Sequence, residues 1–232
     1  FFKGDARRRC TTMGAPASCL PAMSRSRPPS TLPSPPAAAG SGQVRIIGGR
    51  WRNTRLAVPQ RPGLRPTADR VRETLFNWLQ PHLPGARVLD LFAGSGALGL
   101  EALSRGAAHV TLVERDPGLA AAIQSSVQRL DAQAQASVVA RDALAWLQQP
   151  PQHTADIAFV DPPFADGLWA AVLEHLPAHL SATAWLYVEA PHGAQAHPGA
   201  GWIVHREGTT REVGYVLYRR QQTATLATDS TL

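Results

Sequence analysis

The stretch Val88-Leu89-Asp90-Leu91-Phe92-Ala93-Gly94-Ser95-Gly96-Ala97-Leu98-Gly99 joins a short apolar run to a glycine-rich loop. Its order predicts a strand from Val88 to Phe92, a tight turn, and a helix from Ala97 to Ser104. The loop matches the pattern G-x-G-x-x-G, in which glycines let the backbone approach a ligand closely. Glu114 follows about 20 residues later, where a carboxylate at the end of the next strand can accept both hydroxyls of a ribose. The stretch therefore predicts a unit that binds an adenosine-containing cofactor.

Strands and helices alternate downstream of this unit. The pattern predicts strands at residues 109–114, 137–139, 157–160 and 185–189, and helices at 117–130, 143–147 and 167–179. Two last β runs, 202–205 and 213–218, have no helix between them and predict an antiparallel hairpin. The predicted fold class is α/β, a doubly wound Rossmann-like sheet that is mostly parallel and ends in an antiparallel C-terminal hairpin.

A second, N-terminal hairpin is predicted before the sheet. Val44 to Ile47 and Arg50 to Val58 read as strands around a Gly48-Gly49 turn. Thr67 is then predicted to cap a helix that Pro81 ends.

Arginine is concentrated in and after this hairpin. Eight arginines lie between residues 45 and 72, against the single acid Asp69. Such a cluster favours a polyanionic partner, and a solvated basic face is the alternative. The residues predicted to bind RNA are Arg45, Arg50, Arg52 and Arg55.

The two ends of the chain differ from its middle in composition and in predicted order. Residues 1–42 are rich in Pro, Ala, Ser and Arg and contain Asp5 as their only acid, which predicts a disordered leader. An organellar transit peptide is one interpretation, and an upstream extension before a start at Met13 or Met23 is favoured over it. The predicted organisation is a leader at 1–42, a basic β-hairpin at 43–62, an α/β domain at 63–220 and a frayed tail at 221–232.

Composition limits the expected cellular location and metal content of the protein. No apolar run approaches the roughly 18 residues of a membrane span, and no signal-peptide core is evident, so we expect a cytoplasmic protein without a membrane partner. Cys10 and Cys19 both lie in the leader, which leaves no thiolate metal site in the folded part. His175 and His179 lack a third ligand at a metal-binding spacing, so no metal is predicted.

The second informative motif is Asp161-Pro162-Pro163-Phe164, directly after the apolar run 157–160. The two prolines fix φ and have no N–H, so the carbonyls of this turn can point outward as acceptors. Asp161 adds a further acceptor, and Phe164 offers a face for stacking. The motif predicts a site for a planar base that carries an exocyclic amine.

Two carboxylates refine the choice of cofactor. Asp90 precedes the glycines on the predicted strand, where a cationic sulfonium would be favoured over a dinucleotide. Asp142 follows the third predicted strand and can accept from the adenine amine or cap the next helix, and the two roles are compatible. The predicted cofactor-binding residues are Asp90, Phe92, Gly94, Ser95, Gly96, Glu114 and Asp142.

The stretch Asp90–Gly96, together with Asp161–Phe164, resembles the class I S-adenosylmethionine-dependent methyltransferases that alkylate exocyclic amines. Residues 45–49, 64–79 and 97–105 further resemble the bacterial 16S ribosomal RNA guanine-N2 methyltransferase family that acts on guanine 966, and the likeness runs from about residue 42 to 220. The resemblance implies a seven-stranded methyltransferase sheet preceded by an N-terminal hairpin. It also implies S-adenosylmethionine as methyl donor, with 16S rRNA in the small subunit or an assembly intermediate as substrate.

The catalytic residues expected on this basis are Asp161, Pro162, Pro163 and Phe164. The acceptor turn suits any exocyclic amine, so a methyltransferase for adenine N6 or cytosine N4 of RNA or DNA is an alternative. More remote alternatives are an NAD-dependent oxidoreductase, favoured by the literal glycine pattern, and a non-catalytic RNA-binding protein.

Overall fold

The computed structural model describes residues 42–59, 69–163, 167–194 and 197–221. The predicted leader, apart from Gly42, and the predicted tail, apart from Gln221, lie outside these ranges. Phe164 and the predicted helix cap Thr67 lie outside them as well.

Nine strands form two sheets in the described residues. The strands are β1 Gly42–Arg45, β2 Arg55–Val58, β3 Arg87–Asp90, β4 His109–Glu114, β5 Ala136–Ala140, β6 Ala155–Val160, β7 Leu180–Pro191, β8 Trp202–Thr209 and β9 Val213–Arg220. β1 and β2 pair as an antiparallel ribbon, and the other seven form one sheet in the order β5-β4-β3-β6-β7-β9-β8. The pairs among β3 to β7 are parallel, whereas β9 pairs antiparallel with both β7 and β8. The predicted fold class is confirmed.

Five α-helices connect and cover the strands. They are α1 Asp69–Leu79, α2 Ala97–Ser104, α3 Pro117–Arg129, α4 Ala143–Leu147 and α5 Trp169–His175, with short 3-10 helices at Gln80–His82 and Leu176–His179. Helices α1, α2 and α3 and the N-terminal ribbon pack on one face of the large sheet, and α4 and α5 pack on the other. Both faces are therefore buried, as the long apolar runs of the parallel strands require.

Side chains alternate between the two cores along each buried strand. Phe159 of β6 and Tyr187 of β7 face the first core, whereas Ala158 and Val160 face the second. Phe159 contacts Phe76 of α1 edge-to-face at 5.9 Å between ring centroids, and contacts Tyr187 at 6.3 Å. Side chains on a strand alternate between the two faces, so every second residue after Phe159 and Tyr187 also faces the first core. These residues include the polar residues at the strand ends.

The connection between β1 and β2 differs from the predicted two-residue turn. Residues 46–54 separate the strands, and Arg45 pairs with Arg55. The longer loop closes on itself, with the Asn53 N–H donating to the Ile46 carbonyl at 2.8 Å. The Gly-Gly prediction was wrong because the loop makes its main contacts with a helix about 50 residues later in the chain, which a local pattern cannot show.

Helix α2 provides those contacts through two buried side chains. Glu101 accepts hydrogen bonds from the N–H groups of Ile47, at 2.6 Å, and Gly48, at 2.8 Å. Ser104 accepts from the Trp51 N–H through its hydroxyl at 2.9 Å, and that hydroxyl donates to the Gly48 carbonyl at 2.6 Å. We call residues 46–54 the docked loop, since it is fixed to α2 rather than free in solvent.

Several other boundaries differ from prediction, and two of the differences have a clear cause. The helix predicted over 167–179 is α helical only from Trp169 to His175, because Pro177 cannot donate the next helical hydrogen bond and the chain tightens into a 3-10 helix. Strand β7 is 12 residues long, against five predicted, because it is paired on both sides. None of the helices in the described ranges is long and apolar enough to cross a membrane.

Candidate active site

Five acidic residues line the edge of the sheet where the parallel strands end. Asp142 follows β5, Glu114 ends β4, Asp90 ends β3, Asp161 follows β6 and Glu189 lies near the end of β7. The strands β5-β4-β3-β6-β7 are neighbours in that order, so the five acids follow the same order along the edge. From β3 the chain adds strands β4 and β5 on one side, and then returns to add β6 and β7 on the other side. Open α/β sheets bind their ligands at such a switch point, which here lies between β3 and β6.

Glu114 fixes the glycine loop to the end of β4. Its Oε2 accepts from the Gly94 N–H at 2.7 Å, and its Oε1 accepts from the Asp116 N–H at 2.8 Å. Gly94 and Gly96 have φ values of 53° and 73°, the left-handed region that favours glycine. Each carboxylate oxygen retains a second lone pair, so the pair of ribose hydroxyls expected from the sequence can still be accepted there.

Asp90 is almost fully buried beneath this loop. Its Oδ2 accepts from the Gly99 N–H at 2.9 Å. A Cβ on Gly99 would lie 2.8 Å from the Leu112 side chain, so glycine is needed where α2 crosses β4. Burial raises the pKa of Asp90 to about 7; the Gly99 N–H opposes this rise, and the Glu114 carboxylate adds to it.

These residues fit a cationic adenosine cofactor. In the described residues the ion pairs join Asp69 to Arg45 and Arg72, and Glu101 to Arg105, so none involves the acids of the sheet edge. A buried carboxyl without a cationic partner among the described residues favours the approach of a positive charge, which a sulfonium supplies.

Asp142 caps helix α4, as the alternative interpretation predicted. Its Oδ1 accepts from the Ala145 N–H at 3.0 Å, and the residue is exposed. Its other oxygen is not engaged by the described residues, so the predicted contact with an adenine amine stays a prediction. Phe92 is half-buried and packs against the second core, and Ser95 is half-buried in the loop.

The predicted acceptor turn lies directly after β6. Asp161 is half-buried, Pro162 is buried and Pro163 is exposed. Burial raises the pKa of Asp161 well above its usual range, and the carboxylates of Glu189 and Asp90 raise it further. The stacking role predicted for Phe164 falls outside the described residues.

Two residues of the site were missed from the sequence. Tyr187 and Glu189 lie on β7 beside Asp161, and the Tyr187 hydroxyl donates to Glu189 Oε2 at 3.0 Å. Glu189 is only 6 % exposed. The available signal was a glutamate at the predicted end of a strand, but the pairing of β7 with β6 was needed to place it next to Asp161.

The four predicted RNA-binding arginines lie on the ribbon and the docked loop. Arg45, Arg50, Arg52 and Arg55 are all exposed. The Arg50 guanidinium lies 4.1 Å from the centre of the Trp51 ring, and Arg129 of α3 donates to the Arg55 carbonyl at 2.8 Å. These contacts fix the backbone and one guanidinium, and leave a basic surface facing solvent.

No group of three or more His, Cys, Asp and Glu side chains in the described ranges is arranged to hold a metal ion.

Comparisons with known proteins find relatives over most of the chain. The model of the family described as "Conserved hypothetical protein 95" matches residues 44–219. The "Ribosomal RNA small subunit methyltransferase D" of Escherichia coli K12 is 48% identical over 191 residues, covering 80% of this chain and 94% of that protein. The Haemophilus influenzae protein of the same name is 42% identical, with 77% and 94% covered. The solved structure of Escherichia coli yhhF superposes with a TM-score of 0.71 at 44% identity, covering 78% of this chain and 99% of that chain. The chain belongs to the ribosomal RNA small subunit methyltransferase D family.

Proposed function

We propose that the protein transfers a methyl group from S-adenosylmethionine to the exocyclic N2 of a guanine, guanine 966, in 16S rRNA of the small ribosomal subunit or its assembly intermediate. The reaction would take place in the cytoplasm. The observation that supports this most directly is the position of Asp161 and Pro162 at the sheet edge next to Asp90, where an acceptor turn and a cofactor loop meet.

The glycine loop and its flanking acids would hold the cofactor. Glu114 would accept from the ribose, Asp142 from the adenine amine, and Asp90 would lie close to the positive charge. Gly94, Ser95, Gly96 and Phe92 would form the wall of this part of the site. When bound, the cofactor supplies an electrophilic methyl group on a sulfonium.

Asp161 and Pro162 would act on the base. The exocyclic amine of guanine is a weak nucleophile, because its lone pair is delocalised into the ring. Acceptance of its two N–H bonds by the Asp161 carboxylate and the Pro162 carbonyl would orient the lone pair and stabilise the positive charge that develops on nitrogen. Phe164 would stack on the base once it is turned out of its RNA loop, and Pro163 would set the direction of the turn.

The relatives named above act on small-subunit ribosomal RNA, and this chain has an exposed arginine surface on its ribbon. We propose that Arg45, Arg50, Arg52 and Arg55 bind the RNA backbone and present the target loop to Asp161. Phosphate contacts of this kind position an RNA without reading its sequence.

Replacement of Asp161 by Ala tests the proposal. We expect methyl transfer to small-subunit particles from a strain lacking the enzyme to fall about 100-fold or more, because a charge-stabilising acceptor is removed. Binding of S-adenosylmethionine, measured by calorimetry, should change little. Near-normal turnover in the variant would contradict the assignment.

The product decides between the alternatives. Mass mapping of the methylated RNA should place the methyl group on guanine N2, whereas a methyl group on adenine N6 or cytosine N4 would support the other amino-methyltransferases. Binding of NADH in place of S-adenosylmethionine would support an oxidoreductase.

A further inference from the structure

Asp161 and Glu189 lie side by side on neighbouring parallel strands. Phe159 pairs with Tyr187 and Val160 with Val188, so the next residues along the register are Asp161 and Glu189. Neighbouring strands lie about 4.8 Å apart, and both side chains continue the face on which Phe159 contacts Tyr187. The two carboxyls therefore meet at the same end and on the same face of the sheet.

No cationic side chain among the described residues forms an ion pair with either carboxyl. Glu189 receives one hydrogen bond, from the Tyr187 hydroxyl to Oε2, and the described residues provide no donor for its Oε1. The described residues likewise provide no hydrogen bond to the side chain of Asp161. Burial raises the pKa of both groups, and the Tyr187 hydroxyl partly offsets this for Glu189. A buried and a half-buried carboxyl with no cation among the described residues are costly to stability, which is typical of groups retained to bind a ligand rich in donors.

Guanine carries such donors next to each other on one edge of the base. Its exocyclic amine lies beside a ring N1–H, so the edge offers adjacent donors. In adenine and cytosine the ring nitrogen beside the amine carries no hydrogen and accepts instead. A carboxylate next to that nitrogen would be repelled, because both are acceptors.

We propose that Glu189 is the specificity-determining residue of this site, accepting the ring N1–H of guanine through Oε1 while Asp161 accepts the neighbouring amine. The inference rests on the proposed function and adds to it the group that selects the base. Tyr187, which is fully buried, is the positioning residue, since its hydroxyl fixes Oε2 and directs Oε1 toward the base.

The test compares guanine with 2-aminopurine, which keeps the exocyclic amine but has an unprotonated ring nitrogen beside it. Small-subunit RNA carrying either base at the target position is assembled by splint ligation and reconstituted into particles. The ratio of kcat/KM for guanine to that for 2-aminopurine is then measured for the full-length wild-type protein and for each variant.

We expect the wild-type protein to prefer guanine by about tenfold or more, the value of a good polar contact to a base edge. Glu189→Gln should bring the ratio close to one, because a glutamine amide can donate to the unprotonated nitrogen as readily as it accepts from N1–H. Tyr187→Phe should lower the ratio partially without removing the carboxylate. Glu207→Gln, at an exposed acid on the edge strand β8, is the matched control and should keep the wild-type ratio.

The outcomes separate the two proposals. Equal kcat/KM of the wild-type protein for both bases, or a wild-type ratio in folded Glu189→Gln and Tyr187→Phe, would overturn the role of Glu189 and leave the methyl transfer intact. Failure of the wild-type protein to methylate either base would instead overturn the proposed function.

Discussion

At the scale of single residues, the site combines burial with unpaired charge. Asp90 is the clearest case, because it lies under the cofactor loop with one N–H donor and no cation among the described residues. Retention of a carboxyl there opposes stability and favours binding of a positive ligand, a trade-off common at functional sites.

Replacement of Asp90 by Asn tests this trade-off. The folded pKa of about 7 lies above the unfolded value of 3.8, so the protonated form is favoured in the folded state. The stability it contributes is fully present below about pH 4 and is lost as the pH rises to about 7. We therefore expect Asp90→Asn to match the wild-type protein at pH 4 and to exceed it by a few kcal/mol at pH 8 in chemical denaturation.

Cofactor affinity should change in the opposite direction. Asn keeps the acceptor for the Gly99 N–H but loses the charge, so calorimetry at pH 8 should show weaker binding of S-adenosylmethionine. A variant that binds as tightly as the wild-type protein would show that the Asp90 charge does not face the cofactor.

At the scale of elements, the docked loop joins the N-terminal ribbon to helix α2. Gly49 is the tightest point where the two meet, because a Cβ there would overlap the Ser104 carbonyl group, and its φ is +76°. Glu101, which is fully buried, accepts from two loop N–H groups and from Arg105. The N-terminal ribbon is therefore fixed to the helix that begins directly after the glycine loop.

Replacement of Gly49 by Ala should separate the loop from α2. Gly85 provides a matched control, since its φ is +77° but a Cβ there meets nothing within 4 Å. We expect Gly85→Ala to cost about 1 kcal/mol in the free energy of unfolding, the backbone penalty alone. Gly49→Ala should cost clearly more, because the Ser104 backbone must also move. Equal costs in urea denaturation would show that the loop yields without disturbing α2.

Some elements could be predicted from the sequence and others could not. The strand, loop and helix around Gly94 were predicted correctly because their contacts are local and their apolar period is clear. The docked loop and Glu189 were missed because both depend on register between segments distant in the chain, Ile47 with Glu101 and Asp161 with Glu189. Thus most of the fold and the glycine loop follow from the sequence, whereas the position of Glu189 beside Asp161 does not.

At the scale of the whole molecule, charge is divided between two regions. Acids line the carboxyl edge of the sheet, whereas exposed arginines cover the ribbon, within a chain of net charge +6. Charge reversal at Arg50, Arg52 and Arg55 should weaken RNA binding and reduce the slope of log K against log salt by about one for each phosphate that the protein no longer neutralises.

Affinity for S-adenosylmethionine should stay unchanged in that variant, and Arg211→Glu, in the turn between β8 and β9, is the control for charge reversal at an exposed arginine outside the ribbon and the docked loop. Filter binding over a salt series provides the measurement. A parallel loss of cofactor affinity would contradict the separation of the two regions.

The docked loop has a consequence for the order in which the protein acquires its shape during translation. Of the described residues, the ribbon is synthesised first, but its partners Glu101, Ser104 and Arg129 leave the ribosome about 50 or more residues later. The contacts that fix the ribbon and the docked loop can therefore form only after α2 and α3 have been synthesised. Among the described residues, the first part to be made is therefore fixed only after α3 has been synthesised, while β5 to β9 are still to follow.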